Sequence, residues 1–218
     1  ALYQNLQVNG VTYGLPTNDP STIYTFATTT DTAPNSKAGK ELNFIRETAQ
    51  KTKDYTTKIS NAATLSGVTI PSKNSNTPAI IRDLQTVAAL ISGGLKTRVY
   101  MVSYGGFDTH RSQVTTGATD TGSHADLLKD VSDAISGFMD TLKSKGVADR
   151  VVGMTFSDFG RRIKSNGSVG TDHGAAAPMF LFGNQVVGGI LGDNPTISPT
   201  ATVEDNIPYQ YDFRSVYS

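Results

Sequence analysis

Over residues 1–37 the apolar positions follow no period. Thr, Asn, Asp and Pro dominate there, Asn9-Gly10 and Asn18-Asp19-Pro20 signal turns, and only Val11 to Leu15 resembles a strand. The stretch reads as an irregular polar connection, and residues 38–218 as a single α/β domain. From Lys40 the spacing becomes helical. Leu42, Ile45, Ala49 and Ile59 fall near one face with Lys, Glu and Gln between them, which predicts a helix to about Ser60. Gly67 to Ser75 reads as a loop. Thr77-Pro78 then offers an N-cap followed by proline at the first helical position, where a missing N–H breaks no helical bond. Ile80, Ile81, Leu84, Val87, Ala88 and Ile91 repeat at helical spacing until Gly93-Gly94 closes the element.

Arg98 to Tyr104 changes the pattern. Val99-Tyr100-Met101-Val102 is a near-continuous apolar run, too short for a helix, and reads as a buried strand. The clearest helix follows a loop rich in Thr and Gly. Ser123 and Asp126 form a capping-box pattern, Leu127, Leu128, Val131, Ala134, Ile135, Phe138, Met139 and Leu142 make one stripe, and Gly146 stops it. A second apolar run, Val151 to Phe156, completes a strand–helix–strand unit of about 60 residues, whose strands are expected to be parallel with a right-handed crossover. Pro178 to Phe182 and Val186 to Ile190, joined by Gly183-Asn184, read as a strand pair with a two-residue turn. Phe213 to Tyr217 reads as a helix cut off after one turn, which suggests an incomplete chain.

Composition removes several classes of function. Charged residues are 17% of the 218, balanced at 19 basic and 19 acidic, so nothing in the charge points to nucleic acid or an anionic membrane. No run approaches the roughly 18 apolar residues of a membrane span. Zero cysteines exclude thiolate metal sites, thiol nucleophiles and disulfides, so any metal must be held by oxygen and imidazole. Low charge with abundant Ser, Thr, Asn and Gly suits an extracytoplasmic protein, periplasmic, cell-surface or secreted.

Both apolar runs end in chemistry. The first gives way to Gly105-Gly106-Phe107-Asp108-Thr109-His110, the second to Ser157-Asp158-Phe159-Gly160-Arg161-Arg162, and a polar loop then delivers Gly170-Thr171-Asp172-His173-Gly174. In open parallel sheets ligands bind beyond the carboxyl ends of the strands. Asp108 and His110 are therefore expected on one edge with Ser157 and Asp158, with His173 carried over them. Each piece also has a plainer reading. Asp108 and His110 suit a loop turn, Ser157-Asp158 suits the cap of a helix starting at Phe159, and Asp172 suits a network with backbone. His124 reads as a first-turn surface residue. Asp158-Phe159-Gly160 spells the magnesium motif of protein kinases, but their other signatures are missing.

Taken together, Gly106 to His110 with Gln113, Ser157 to Arg162, Asn166-Gly167, Gly170 to Gly174 and Asp212 to Tyr217 resemble the bacterial domain-of-unknown-function family numbered 1501, over roughly Ile80 to the end. That family is described as sulfatase-like, within the alkaline-phosphatase-like superfamily. The resemblance implies a three-layer αβα sandwich with a mostly parallel sheet, export from the cytoplasm, and a metal-assisted hydrolase site. Carried over by position, Asp108, His110, Asp158, Asp172 and His173 are the residues expected at the metal. It also implies an earlier half with further acidic and seryl motifs. That half is not found in the sequence, so the chain is expected to be a fragment of a longer parent.

Carboxylates and imidazoles without thiolates suit a divalent ion, Zn, Mn or Ca. Such an ion polarises a phosphoryl or sulfuryl oxygen or acidifies a water, and Arg161 and Arg162 offer a planar fork for an oxyanion. The expected function is hydrolysis of a small-molecule or glycan phosphate or sulfate ester. The alternative is a non-catalytic surface or binding protein that keeps the scaffold. The expected partners are the ester substrate and the missing part of the parent, with no nucleic acid and no membrane span.

Overall fold

A computed structural model describes residues 32–217, together with the backbone of 5–8 and 11–14. The expected polar connection over 1–37 lies largely outside these residues. Within it, β1 (Asn5–Val8) pairs antiparallel with β2 (Val11–Gly14), and β2 falls on the strand-like piece near Val11. Contacts divide the chain into two compact units, one of Ala1–Gly67 with Ala89–Thr97 and the other of Val68–Ala88 with Arg98–Ser218.

The first unit is built on α1 (Lys37–Leu65), a helix longer at both ends than its apolar spacing predicts. Ser36 caps its start, the hydroxyl accepting from the Gly39 N–H at 3.1 Å, and Ser66 finishes it by donating its hydroxyl to the Ala63 carbonyl at 2.7 Å. Ala49, Ile59 and Ala62 are buried on the predicted face, whereas Ile45 is exposed. The division between the units falls inside α2 (Ala79–Ser92), which begins one residue later than the Pro78 start read from the sequence and buries Ile80, Ala88, Ala89 and Leu90.

In the second unit the main element is α3 (Ser123–Ser144), with Ala134, Phe138, Met139 and Leu142 buried. Its start differs from the expected capping box. The N-cap is Gly122, and the Ser123 hydroxyl leaves the helix to donate to the Ser112 carbonyl at 2.8 Å. Its end is as read. Gly146 takes φ +68°, which a side chain disfavours, and this lets Val147 N–H reach the Leu142 carbonyl at 3.0 Å while Gly146 N–H reaches Lys143 at 3.0 Å. Two side-chain bonds tie α3 to its surroundings: Thr141 donates to Gln85 of α2 at 3.0 Å, and Tyr104 to Asp130 at 2.6 Å. The Asp130 bond, aided by burial, pushes the Tyr104 phenol up to about 12.

The sheet corrects the sequence reading. The described residues contain no three-layer αβα sandwich and no parallel sheet. They hold two short antiparallel pairs besides the β1–β2 hairpin: β3 (Gly153–Met154) with β6 (Leu181–Phe182), and β4 (Gly160–Arg161) with β5 (His173–Gly174). Arg98 to Tyr104 joins no ladder, and Val99 and Met101 are 82% and 74% exposed. The Val151 to Phe156 run alternates between half-covered and exposed positions. A continuous apolar run implies burial on both faces only when both faces are covered, and here one face of each segment is open. Nor does Pro178 to Phe182 pair with Val186 to Ile190. It returns to β3, with Thr155 N–H donating to the Phe180 carbonyl at 2.9 Å, and Val187 and Ile190 stand exposed. The one-turn helix α4 (Phe213–Tyr217) is present where predicted.

Because Leu142 is fully buried and Leu128 about half exposed on the same helix, Leu142→Ala is expected to destabilise the chain by about 2–5 kcal/mol. Leu128→Ala is expected to cost well under half of that. Urea unfolding of both variants checks the assignment of the buried face.

Candidate metal centre

Two loops of the second unit make the site. The first follows the extended segment ending at Tyr104 and carries Asp108 and His110. The second is the long connection of the β4–β5 hairpin, in which Arg161 stands opposite His173 and Gly160 opposite Gly174. The loops are joined along their backbones: Ser112 N–H donates to the Ser168 carbonyl at 3.0 Å and Gln113 N–H to the Val169 carbonyl at 2.9 Å. Thr171 adds a hydroxyl bond to the Gln113 amide oxygen at 2.7 Å. At this seam Ser112 and Val169 both take positive φ, +51° and +59°. For non-glycine residues that conformation costs on the order of 1–3 kcal/mol each, so the surrounding bonds must over-determine it. Gly170 permits the close approach, since a Cβ there would lie 2.3 Å from the His110 carbonyl oxygen.

The result brings together three of the sequence-predicted ligands. Asp108 Oδ1 stands 3.0 Å from His110 Nε2 and 2.8 Å from His173 Nε2, and the three donor atoms all lie within 4.8 Å of one another. The imidazoles are 4.7 Å apart between centroids, and Phe159 stacks flat on His173 at 4.0 Å and 10°. Asp172 lies one step further out: its Oδ1 meets His110 Nδ1 at 2.9 Å. Asp158 is exposed and not part of this cluster. Ser157 does not cap a helix, since β4 follows. Its hydroxyl turns back onto the Phe159 carbonyl at 2.9 Å.

Protonation at His110 shows why a cation fits. Asp172 as a carboxylate can only accept, so Nδ1 of His110 must carry the hydrogen. In a neutral ring Nε2 is then a bare lone pair, facing Asp108 Oδ1 at 3.0 Å. Two acceptors do not face each other at that distance without a positive charge, either a second proton on His110 or a cation between them. Two imidazoles and one carboxylate are a donor set that suits zinc, manganese or iron better than calcium, which prefers all-oxygen cages. Ligands at the roughly 2.0–2.1 Å bond lengths of tetrahedral zinc stand about 3.3 Å apart, so the two spacings from Asp108 need to open by only a few tenths of an ångström.

The carboxyls are electrostatically prepared as anions. The His173 hydrogen bond, helped by the charges of His110, His173 and Arg161, holds Asp108 below the usual aspartate range. Bonds from Asn166 and then His110 do the same for Asp172. The side chains of Asp108, His110, His173 and Asp172 are all 40–63% exposed, so solvent reaches the cluster.

The arginines are placed differently from an open anion fork. Arg161 donates to the carbonyls of Phe107 and Thr171 and, at 3.3 Å, to the Thr109 hydroxyl, with its guanidinium 5.0 Å from the Phe159 ring centroid. One side chain thus ties the residue before Asp108 to the residue before Asp172. Burial lowers its pKa. Arg162 binds the His173 and Val203 carbonyls at 3.2 and 3.1 Å and the Glu204 carboxylate. His124, a surface residue in the sequence reading, is half-buried. Its ring meets Phe107 edge-on at 6.0 Å, its Nδ1 is buried with no hydrogen bond among the described residues, and burial lowers its pKa. Asn166 and Phe159 were not among the predicted site residues. An Asn-Gly pair reads as a turn, and a stacked aromatic gives no spacing signal.

Residues 24–210 match the family described as protein of unknown function, DUF1501. The chain belongs to the DUF1501 family. The match covers both site loops and begins well before Ile80, where the motif resemblance begins. No curated protein and no solved structure matches the chain. No helix among the described residues is long and apolar enough to cross a membrane.

Two outcomes follow from this geometry. Since Asp108 and Asp172 titrate below the usual value in the folded chain, their contribution to stability is complete above about pH 4 and is lost as pH falls through their folded values. Urea midpoints of the unsubstituted chain should therefore drop below pH 4 more steeply than those of Asp108→Asn or Asp172→Asn. Gly170→Ala should push the loops apart and destabilise by about 1–3 kcal/mol, seen as a lower midpoint at neutral pH.

Proposed function

We propose that this DUF1501 chain holds one divalent cation through Asp108 Oδ1, His110 Nε2 and His173 Nε2, and that the centre serves hydrolysis of a phosphate or sulfate ester outside the cytoplasm. The observation that carries the cation is the convergence of two imidazole nitrogens on one carboxylate oxygen, with the remaining nitrogen of His110 already committed to Asp172. A cation there supplies Lewis acidity, polarising an ester oxygen or acidifying a water. The chain's own part is to hold three donors on tied loops, to leave them open to solvent, and to keep both carboxyls ionised. The ester class rests on the motif resemblance. Low charge with abundant Ser, Thr, Asn and Gly supports the extracytoplasmic setting.

A second reading, a non-catalytic binding protein, is favoured by one observation: Arg161 and Arg162 are bonded to the chain's own carbonyls and to Glu204 and do not present a fork to an anion. Metal analysis of natively purified protein comes first, followed by zinc and manganese titration calorimetry and a screen of phosphate and sulfate esters. His173→Ala should lower metal affinity by at least tenfold, while Asp158→Asn should leave it unchanged. Equal binding by all three proteins sinks the centre, and metal binding without ester turnover selects the second reading.

A further inference from the structure

Every hydrogen-bonding position of the Asn166 side chain is used, and the two ends do different work. Its oxygen accepts from the backbone N–H of Ser168 at 2.9 Å and of Gly170 at 3.3 Å, which shapes the loop. Its amide nitrogen donates to the His110 carbonyl at 2.8 Å and to Asp172 Oδ1 at 3.0 Å, which reaches the site. An amide has two acceptor positions and two hydrogens, so the group is saturated. The orientation is also unambiguous, because a flipped amide would set NH₂ against two N–H donors and oxygen against a carbonyl and a carboxylate.

We propose that Asn166 is a positioning residue of the centre: by holding Asp172 Oδ1 as an acceptor against His110 Nδ1, it fixes His110 as the Nδ1–H tautomer and leaves Nε2 as the ligand atom. The inference rests on the metal reading of Asp108, His110 and His173. One oxygen of Asp172 receives both Asn166 and His110, so the amide sets where that oxygen stands. The second bond, to the His110 carbonyl, fixes the backbone from which the imidazole projects. Groups that orient a ligating histidine from behind commonly change metal affinity by 10–100-fold when removed.

Asn166→Asp separates the two roles. The aspartate keeps an acceptor for Ser168 and Gly170 but replaces both donated bonds with a carboxylate facing a carbonyl and another carboxylate. Zinc calorimetry should show a 10–100-fold weaker site than in the unsubstituted chain. Nitrogen-15 NMR should show His110 Nδ1 carrying a hydrogen held to Asp172 in the unsubstituted chain, with Nε2 free of hydrogen once zinc is loaded, and that pattern lost in the variant, a change that a purely loop-shaping role would not produce. Asn166→Ala, read the same way, serves if the aspartate variant does not fold. Equal zinc affinity with an unchanged tautomer overturns the proposal. If the unsubstituted chain binds no zinc, the metal reading fails and the His110 Nδ1–H held to Asp172 decides alone: its loss in the variant supports the role of Asn166, and its retention overturns it.

Discussion

Asp108 Oδ1 facing the Nε2 atoms of both His110 and His173 is the constraint on which the rest of the second unit's polar architecture depends. One acceptor oxygen between two rings is stable only if each ring turns a hydrogen toward it or a cation stands between, and Asp172 on the far nitrogen removes the first option for a neutral His110. The arrangement makes demands on the backbone. Asp108 and His110 lie some sixty residues from Asp172 and His173, on a different loop. Holding them within 3 Å requires the loops to be docked, and the docking bonds, the left-handed Val169 and the missing Cβ of Gly170 all occur where that docking happens.

Arg161 is the strongest single tie. Its guanidinium joins Phe107 and Thr171 across the seam and lies against Phe159, whose other contact is the His173 ring. The planar fork that makes arginine a good anion ligand equally suits it to bridging two carbonyls. Its charge also helps to hold Asp108 ionised, so it acts on the ligands without touching an anion. Arg162 differs in degree. Its partner Glu204 is largely exposed, and an ion pair of that kind is screened by solvent, so its bond to the His173 carbonyl bears more directly on the site than its ion pair does.

How much of this was legible varies with the kind of signal. Helices α2 and α3 could be read because 3.6-residue spacing survives any tertiary context and because Gly146 supplies a stop that no L side chain supplies as cheaply. The parallel sheet was misread because Val99 to Val102 is apolar without a gap and Val151 to Phe156 is broken only by Gly153 and Thr155, and such runs do not say how many faces are covered. The cluster was partly legible: imidazoles and carboxylates beside glycines, together with the motif resemblance, singled out Asp108, His110, Asp172 and His173, but Asp158 with them. Distinguishing ligand from orienting group was not, since Asp172 and Asp108 are the same residue type and only their approach to different nitrogens of His110 separates them. Asp158 has the same composition signal as Asp108 but lies outside the cluster.

The correction to the fold changes what the site depends on. At the edge of a parallel sheet, ligands would inherit the rigidity of buried strands. Here the cluster hangs on a two-residue ladder and a seam of loop bonds, so the free energy that docks the loops is the free energy that forms the site. Any cation that binds the docked loops and not the separated ones must stabilise the docking by RT ln(1 + [L]/Kd), and by the same linkage any bond that secures the docking raises affinity for the cation. The left-handed residues at the seam work against this, so the docked state is held by opposing terms of a few kcal/mol. In such a balance, single hydrogen bonds of the kind made by Thr171, Asn166 and Arg161 are large enough to decide whether three donors converge or drift apart.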